Sequence, residues 1–499
     1  MKKGKVWLVG AGPGDIGLMT LKGYDLLKKA EVVVYDSLVS DAILAWIPEN
    51  AKKIDAGKRA GNHKLRQEET NRILLEEAQQ GKRVVRLKGG DPFLFGRGGE
   101  ELELLTENEI PYEVVPGITS AIAVPAYNGV PVTHRDYCSS IHVITGHKKQ
   151  GEEYDIDFEA LVRTKGTLIF LMGISAIEDI CNQLMRAGMN PDMPAAVFQE
   201  GTTAGQRKVV ATVATITQRA REEKIGTPGI IVVGKVCELA YKFDWVEKQP
   251  LFGYKVLITR PRELASTMAE KLRELGAEVV EIPSIKAVAI EKNEALRGAL
   301  EHLPSYQWIA FTSPTGVRIF WEEVSKARVD MRAFSHIRFA VLGTGTQKEL
   351  GKKGIFADLI PEVSDGKALG EAIARVANPG DRILIPRAAK GNMELIEALR
   401  DFTVDDLAIY ETVACERGVM DIAGEIEAGK IHCAAFTSSS AVRSFVEGNP
   451  TIDYSRLTAA CIGQQTMDTA REYGMRCVMA KKATIDSLID TVIALKNEK

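Results

Sequence analysis

Part of this sequence is written twice, and the period of the copy limits the folds open to it. The run Ala310-Phe311-Thr312-Ser313, followed by Val317, Arg318 and Phe320, returns 125 residues later as Ala435-Phe436-Thr437-Ser438 with Val442, Arg443 and Phe445. A second stretch, Ala340-Val341-Leu342-Gly343-Thr344-Gly345-Thr346, returns after 120 residues as Ala460-Cys461-Ile462-Gly463-Gln464-Gln465-Thr466. A repeat of that length is too long for a solenoid unit and suits a whole α/β lobe. The second half of the chain should therefore form two related lobes, 253–288 with 413–499 and 289–412, with crossings near 282–289 and 407–413. Two lobes joined by two crossings enclose a cleft.

Short β-branched runs alternate with helical stretches throughout, at 6–9, 32–35, 84–87, 168–171 and 230–233, then at 256–259, 309–312, 339–342, 383–385, 434–437 and 459–462. That alternation predicts α/β architecture. The segment 241–252 is polar with aromatic punctuation and has no period, and it reads as a linker between domains at 1–240 and 253–499. The balance of 64 basic against 67 acidic residues offers no global attraction to nucleic acid or to an anionic membrane. No apolar run approaches the ~18 residues of a membrane helix. The basic start, Met1 to Lys5, runs through Val6–Val9 into Gly10 and so reads as a first strand, not a signal peptide. The 7 cysteines are odd in number and never spaced as CxxC, and the 7 histidines are dispersed, so neither a disulfide framework nor a metal is expected. A cytoplasmic enzyme is the expectation.

Two glycine loops stand in the first half, each at a strand end. Gly10-Ala11-Gly12-Pro13-Gly14-Asp15 fails the dinucleotide fingerprint, because Asp15 stands at the third glycine and Pro13 lacks a backbone donor. The second, Lys88-Gly89-Gly90-Asp91-Pro92, follows the run at 84–87. A single such loop is an ordinary strand-to-helix turn, whereas a pair suits a ligand beyond the carboxyl ends of a sheet. Residues 5–236 resemble a uroporphyrinogen-III C-methyltransferase of the tetrapyrrole methyltransferase family. The resemblance rests on VWLVGAGPGDIGLMTLKG, VVVYDSLV, GKRVVRLKGGDPFLFGRGGEE, VVPGITSAIAVPAYNGVPVTHRDY, QEGTTAGQRKVVATVATI and TPGIIVVG in that order. It implies a two-lobed α/β domain, a homodimer, and S-adenosylmethionine as cofactor, released as S-adenosylhomocysteine. Carried over by motif, the cofactor site is Pro13, Gly89, Gly90, Asp91, Leu94, Thr119, Ser120, Met172, Gly201 and Gly229. The family often has Pro-Ala-Leu where this chain has Pro228-Gly229-Ile230, a change that a backbone contact survives.

The resemblance also implies Asp36 as proton acceptor and Lys58 as proton donor. The chemistry is sound: a pyrrole carbon attacks the sulfonium methyl, and a carboxylate takes the proton that must leave the macrocycle. Without the motif, Asp36 reads as a turn residue after its strand and Lys58 as part of a solvated basic loop. Arg97 and Arg135, with His134, would complement the carboxylates of the substrate.

In the second half the repeated feature is a strand ending in Thr-Ser before a helical pattern. One reading is capping of the helix; the other is a pair of helix N-termini gripping substrate carboxylates. Residues 253–495 resemble uroporphyrinogen-III synthase, through VLITRP, AFTSPTGV, VLGTGT, ILIPRA, LAIYETV, AFTSSSAV and CIGQQT. That resemblance implies cyclisation of hydroxymethylbilane with inversion of the last ring, Tyr410 as donor to the departing hydroxyl, and Thr346 and Thr466 in the cleft. Ser313 and Ser438 join them as substrate contacts. The usual Gly-Pro-x-Thr is here Gly463-Gln464-Gln465-Thr466. Together the halves imply a bifunctional enzyme that makes uroporphyrinogen III and methylates it at carbons 2 and 7 to precorrin-2. The alternatives are a methyltransferase for a later corrin, a diphthine precursor or ribosomal RNA, and a methyltransferase fused to a non-catalytic tetrapyrrole-binding module.

Overall fold

The computed structural model describes residues 3–57, 66–146, 155–259, 266–282, 285–363, 365–391, 393–414 and 420–498. Its strands assemble into four five-stranded sheets. The first holds β1 (Lys5–Gly10), β2 (Val32–Tyr35), β3 (Lys52–Asp55), β4 (Arg83–Lys88) and β5 (Tyr112–Val115), all parallel, in the order β3-β2-β4-β1-β5. The second holds β6 (Ile141–Thr145), β7 (Thr167–Leu171), β8 (Pro194–Gln199), β9 (Arg207–Thr212) and β10 (Gly229–Val233), in the order β6-β7-β10-β8-β9. Only β6 and β7 are parallel there.

The third sheet is built from β11 (Lys255–Thr259), β12 (Glu278–Ile282), β18 (Cys433–Phe436), β19 (Thr458–Cys461) and β20 (Arg476–Met479), all parallel, in the order β12-β11-β18-β19-β20. The fourth has β13 (Ile285–Ala289), β14 (Trp308–Phe311), β15 (Arg338–Val341), β16 (Arg382–Ala388) and β17 (Thr403–Ala414), in the order β13-β17-β16-β14-β15.

The strands at the centre of each sheet are mostly apolar because helices cover both faces. Alternate residues feed two separate cores: Val6, Leu8, Val32 and Val84 one side of the first sheet, Val9, Val33, Val85 and Leu87 the other. The fourth sheet divides in the same way, with Ile309, Phe311 and Leu384 opposite Trp308, Ala310 and Ile383.

The chain forms two compact units, 1–282 with 416–499, and 283–415. The first contains sheets one to three and the second contains the fourth. The second unit is slightly wider at both ends than 289–412, because the crossing segments themselves pair as the antiparallel strands β13 and β17. The repeat is visible as topology. Superposing β14 on β18 and β15 on β19 sets β17-β16-β14-β15 along β12-β11-β18-β19. The two lobes share one arrangement with a cyclic shift of the chain start, as they must when one lobe is inserted into the other.

The segment 241–252 is not a loose tether. Lys208, with its side chain 4% exposed, pairs with Asp244 (3.4 Å) and Glu247 (3.0 Å) and lies over the Tyr241 ring. Trp245 donates its indole N–H to Ala126 O and meets Tyr127 edge-on. The chain between the halves is strapped to the first.

Candidate active sites

In the first sheet, three loops leave the carboxyl ends of the neighbouring strands β4, β1 and β5, the place where a ligand of an open parallel sheet belongs. They touch backbone to backbone. Gly12 and Gly90 exchange N–H···O bonds of 3.2 and 2.7 Å. A Cβ on Gly10 would stand 2.5 Å from Gly117 Cα, and one on Gly117 would collide with Gly90 O. Gly90 itself (φ +67°) opens outward: the nearest atom to a Cβ there would be Ser120 N at 4.0 Å. That is a cradle which a side chain would fill.

Asp91 holds the loops together. Its Oδ1 accepts from Phe93 N–H (2.8 Å) and Leu94 N–H (3.0 Å), and its Oδ2 from Gly117 N–H (3.0 Å). Thr119 caps the helix Ser120–Tyr127, accepting from Ala121 N–H. The second sheet supplies the opposing residues, Met172 after β7, Gly201 after β8 and Gly229 at the start of β10. The sheets meet where Asp15 N–H donates to Thr202 Oγ1 (3.1 Å) and where Gly201 packs on Val124. Pro13, half-buried, lies in that same loop. All ten residues expected to hold the cofactor thus gather at adjoining ends of two sheets.

Backbone strain is also present at the same ends. Phe95, Arg97, Met172, Glu200 and Thr202 have φ between +45° and +71°, a region costing a non-glycine residue roughly 1–3 kcal/mol. The sequence carries no mark of these conformations.

Asp36 follows β2, half-buried, and accepts from Leu38 N–H (3.0 Å) and Gly89 N–H (3.3 Å to each oxygen). It forms the turn that the plainer reading expects, and the same bonds pin its carboxylate beside the second glycine loop. Lys58 lies outside the described residues. Arg97 is exposed and engaged by Glu100, at 2.9 and 2.5 Å. Arg135 is exposed, and His134 Nδ1 accepts from Asp136 N–H.

Behind the second loop sits an ion cluster that sequence reasoning missed. Glu101 is fully buried, and its Oε1 accepts from Arg86 Nε (3.0 Å), Lys88 Nζ (2.9 Å) and Gln67 Nε2 (3.2 Å), while its Oε2 has no partner among the described residues. Burial opposes ionisation of Glu101, but Arg86 and Lys88 outweigh it and hold the carboxyl below its ordinary range. Lys88 is pushed down by burial and by Arg86. The signal was available: Arg86 and Lys88 alternate in a central apolar strand, where a covering helix must provide their counterion.

In the second unit, Ser313 caps the helix Pro314–Lys326 through Gly316 N–H (3.0 Å), and its Oγ lies 2.9 Å from the hydroxyl of Tyr410, which is 7% exposed. Thr346 is buried in the first turn of the neighbouring helix Thr344–Gly351. In the first unit, Ser438 caps Ser439–Gly448 through Ala441 N–H (3.2 Å), its Oγ 3.0 Å from Ser440 Oγ, and Thr466 is buried in the first turn of Gln464–Glu472. Each pair of helix N-termini stands at the carboxyl ends of adjacent strands, β14 with β15 and β18 with β19.

A profile described as tetrapyrrole (corrin/porphyrin) methylases matches residues 5–217, and one described as uroporphyrinogen-III synthase HemD matches residues 266–490. The chain is 47% identical over 497 residues to the porphyrin biosynthesis protein HemD of Ruminiclostridium josui, covering 99% of both. It is 34% identical to the uroporphyrinogen-III C-methyltransferase of Bacillus subtilis, over 96% of this chain and 95% of that one. Its first half is 52% identical to an S-adenosyl-L-methionine-dependent uroporphyrinogen III methyltransferase of Methanosarcina barkeri, over 47% of this chain and 93% of the relative.

Proposed function

Because the chain belongs to the family in which a tetrapyrrole methylase is joined to uroporphyrinogen-III synthase, and is a bifunctional enzyme of tetrapyrrole biosynthesis, we propose how its two reactions are divided and which residues serve them. Residues 253–499 close hydroxymethylbilane to uroporphyrinogen III, and residues 1–240 then methylate carbons 2 and 7 to give precorrin-2. S-adenosylmethionine supplies each methyl group.

The single observation carrying the first assignment is the convergence of three glycine loops around Gly90, whose open face suits a nucleoside lying against bare backbone. Pro13, Gly89, Gly90, Asp91, Leu94, Thr119, Ser120, Met172, Gly201 and Gly229 would line it. Asp36, held by Gly89 N–H, accepts the proton that leaves the methylated ring carbon, and Lys58 returns a proton to the macrocycle. Arg97 and Arg135 face the substrate carboxylates, which requires Arg97 to exchange Glu100 for the ligand.

For cyclisation, the Tyr410 hydroxyl protonates the departing hydroxyl group. Ser313 orients it at 2.9 Å, a bond in which either oxygen can donate. Ser313, Thr346, Ser438 and Thr466 sit at helix N-termini whose free N–H groups suit the acetate and propionate arms. The exposed Phe93, Phe95, Ile118 and Ile122 near the cofactor loops support a homodimer through the methyltransferase half. No described helix is long and apolar enough to cross a membrane; the enzyme is proposed to work in the cytoplasm.

The test is one coupled assay. Full-length protein given hydroxymethylbilane and S-adenosylmethionine should yield precorrin-2 with two equivalents of S-adenosylhomocysteine. Formation of the type I isomer alone would rule out the synthase assignment. Asp36→Asn should bind S-adenosylhomocysteine normally and turn over slowly; normal turnover would reduce Asp36 to a turn residue.

A further inference from the structure

Outside both sites, one lysine gathers carboxylates from the two halves of the chain. Lys255 opens β11 of the synthase half and is only 8% exposed. Its Nζ lies 2.9 Å from Glu425 and 3.0 Å from Glu278, both in the synthase half, and 3.6 Å from Asp41 in the methyltransferase half. Lys430 meets the other oxygen of Glu425 at 3.3 Å. Glu278 faces two ways: Oε1 takes Lys255, and Oε2 accepts from Ala204 N–H at 2.8 Å.

Asp41 and Ala204 are the informative partners, because each belongs to a segment that carries the proposed methyl-transfer site. Asp41 opens the helix Asp41–Leu44, five residues after Asp36. Ala204 lies in the loop 200–206 with Gly201 and Thr202, and Thr202 Oγ1 accepts Asp15 N–H from the first glycine loop. Each segment thus has one end at the site and the other at this node. A buried ion cluster is an imprecise source of stability but a good fixer of geometry, since moving any member strands a charge.

We propose that Lys255 is a positioning residue for methyl transfer: through Asp41 and through Glu278 to Ala204, the synthase half fixes the Asp36 segment and the Gly201 loop against each other. The methyltransferase of this chain is therefore tuned by its fusion partner. The inference rests on the assignment of those two segments to the methyl-transfer site.

A loss of positioning appears in kcat more than in KM, since the reacting groups, and not the bulk of the binding contacts, go out of register. In the full-length protein, Lys255→Met is expected to lower kcat for methyl transfer about tenfold and to leave KM within about twofold. Lys255→Arg, which keeps the charge, should recover most of the loss. Asp41→Asn weakens the direct arm of the node, leaving the one through Glu278 to Ala204, and should slow methyl transfer while hydroxymethylbilane cyclisation stays at the parental rate. Parental methyl transfer in both Lys255→Met and Asp41→Asn would overturn the proposal. So would a fall of both activities in step with a lowered melting temperature that Lys255→Arg does not rescue. Full activity of Asp36→Asn would strike the assignment of the segments instead, which separates the two failures.

Discussion

Replacing Ser438 by Asp separates substrate binding at a synthase helix N-terminus from capping alone. Ser438 has extended backbone (φ −166°, ψ 157°) and accepts from Ala441 N–H, the geometry of an N-cap. Ser313 occupies the equivalent place, but its hydroxyl also meets Tyr410, so a change there would disturb two functions. Among the described residues Ser438 Oγ has only Ala441 N–H and Ser440 Oγ as partners, and it gives the cleaner probe. Ser438→Ala loses one cap bond, about 1 kcal/mol, which lowers the melting temperature by roughly 2–4 °C in a domain of this size. Ser438→Asp retains the cap, because a carboxylate accepts the same N–H and suits the helix dipole. If a substrate carboxylate sits over that N-terminus, however, the new charge lies about 4 Å from it. At an effective dielectric near 20 the repulsion is about 4 kcal/mol, or roughly three decades in affinity. The expected pattern is a stable Ser438→Asp protein with cyclisation nearly abolished, beside a slightly destabilised Ser438→Ala protein that stays active. Melting temperature and the rate of uroporphyrinogen III formation decide it. Parental activity in a folded Ser438→Asp protein would refute the anion site and leave capping as the whole role.

Glu101→Gln should destabilise the methyltransferase half by about 3–5 kcal/mol, because Arg86 and Lys88 would remain buried without a counter-charge; denaturant unfolding measures it, and Lys88→Met, which leaves the Arg86–Glu101 pair intact, should cost less. Lys22 and then Lys5 hold Glu113 down at about 2 through charged hydrogen bonds. Its folded value lies below its unfolded one, so its contribution is complete above about pH 4.5 and fades as pH falls toward 2; Glu113→Gln should flatten the dependence of melting temperature on pH across that window. Gly117→Ala would drive a Cβ into Gly90 O and part the glycine loops, an overpacking of about 1–3 kcal/mol, and calorimetry should find S-adenosylhomocysteine affinity reduced by tenfold or more. Burial pushes the Cys237 thiol up to about 12, so iodoacetamide at pH 8 should leave it unmodified in the folded protein and alkylate it once unfolded.

Much of this molecule was legible before folding because the causes are local. Strands such as β1, β4 and β14 announce themselves as apolar runs since both their faces are covered, and Ser313 and Ser438 cap helices through bonds only three residues long. The duplication predicted paired lobes because each lobe is a long, self-contained pattern. Edge strands were fainter: β3 is Lys52-Lys53-Ile54-Asp55, and β20 opens on Arg476, since a strand with one free side tolerates charge. What sequence could not supply is whatever depends on which distant segments meet. Nothing local tells that Arg86 and Lys88 share Glu101, that loops around residues 12, 90, 117 and 201 adjoin, or that Lys255 draws in Asp41. The cyclic shift between the lobes is of the same kind, because strand order is set by packing apolar faces and not by position in the chain. The identity of each residue fixes what bonds it can make; only the closed fold, by excluding water and bringing remote carboxylates within 3–4 Å of a cation, decides which of them it makes.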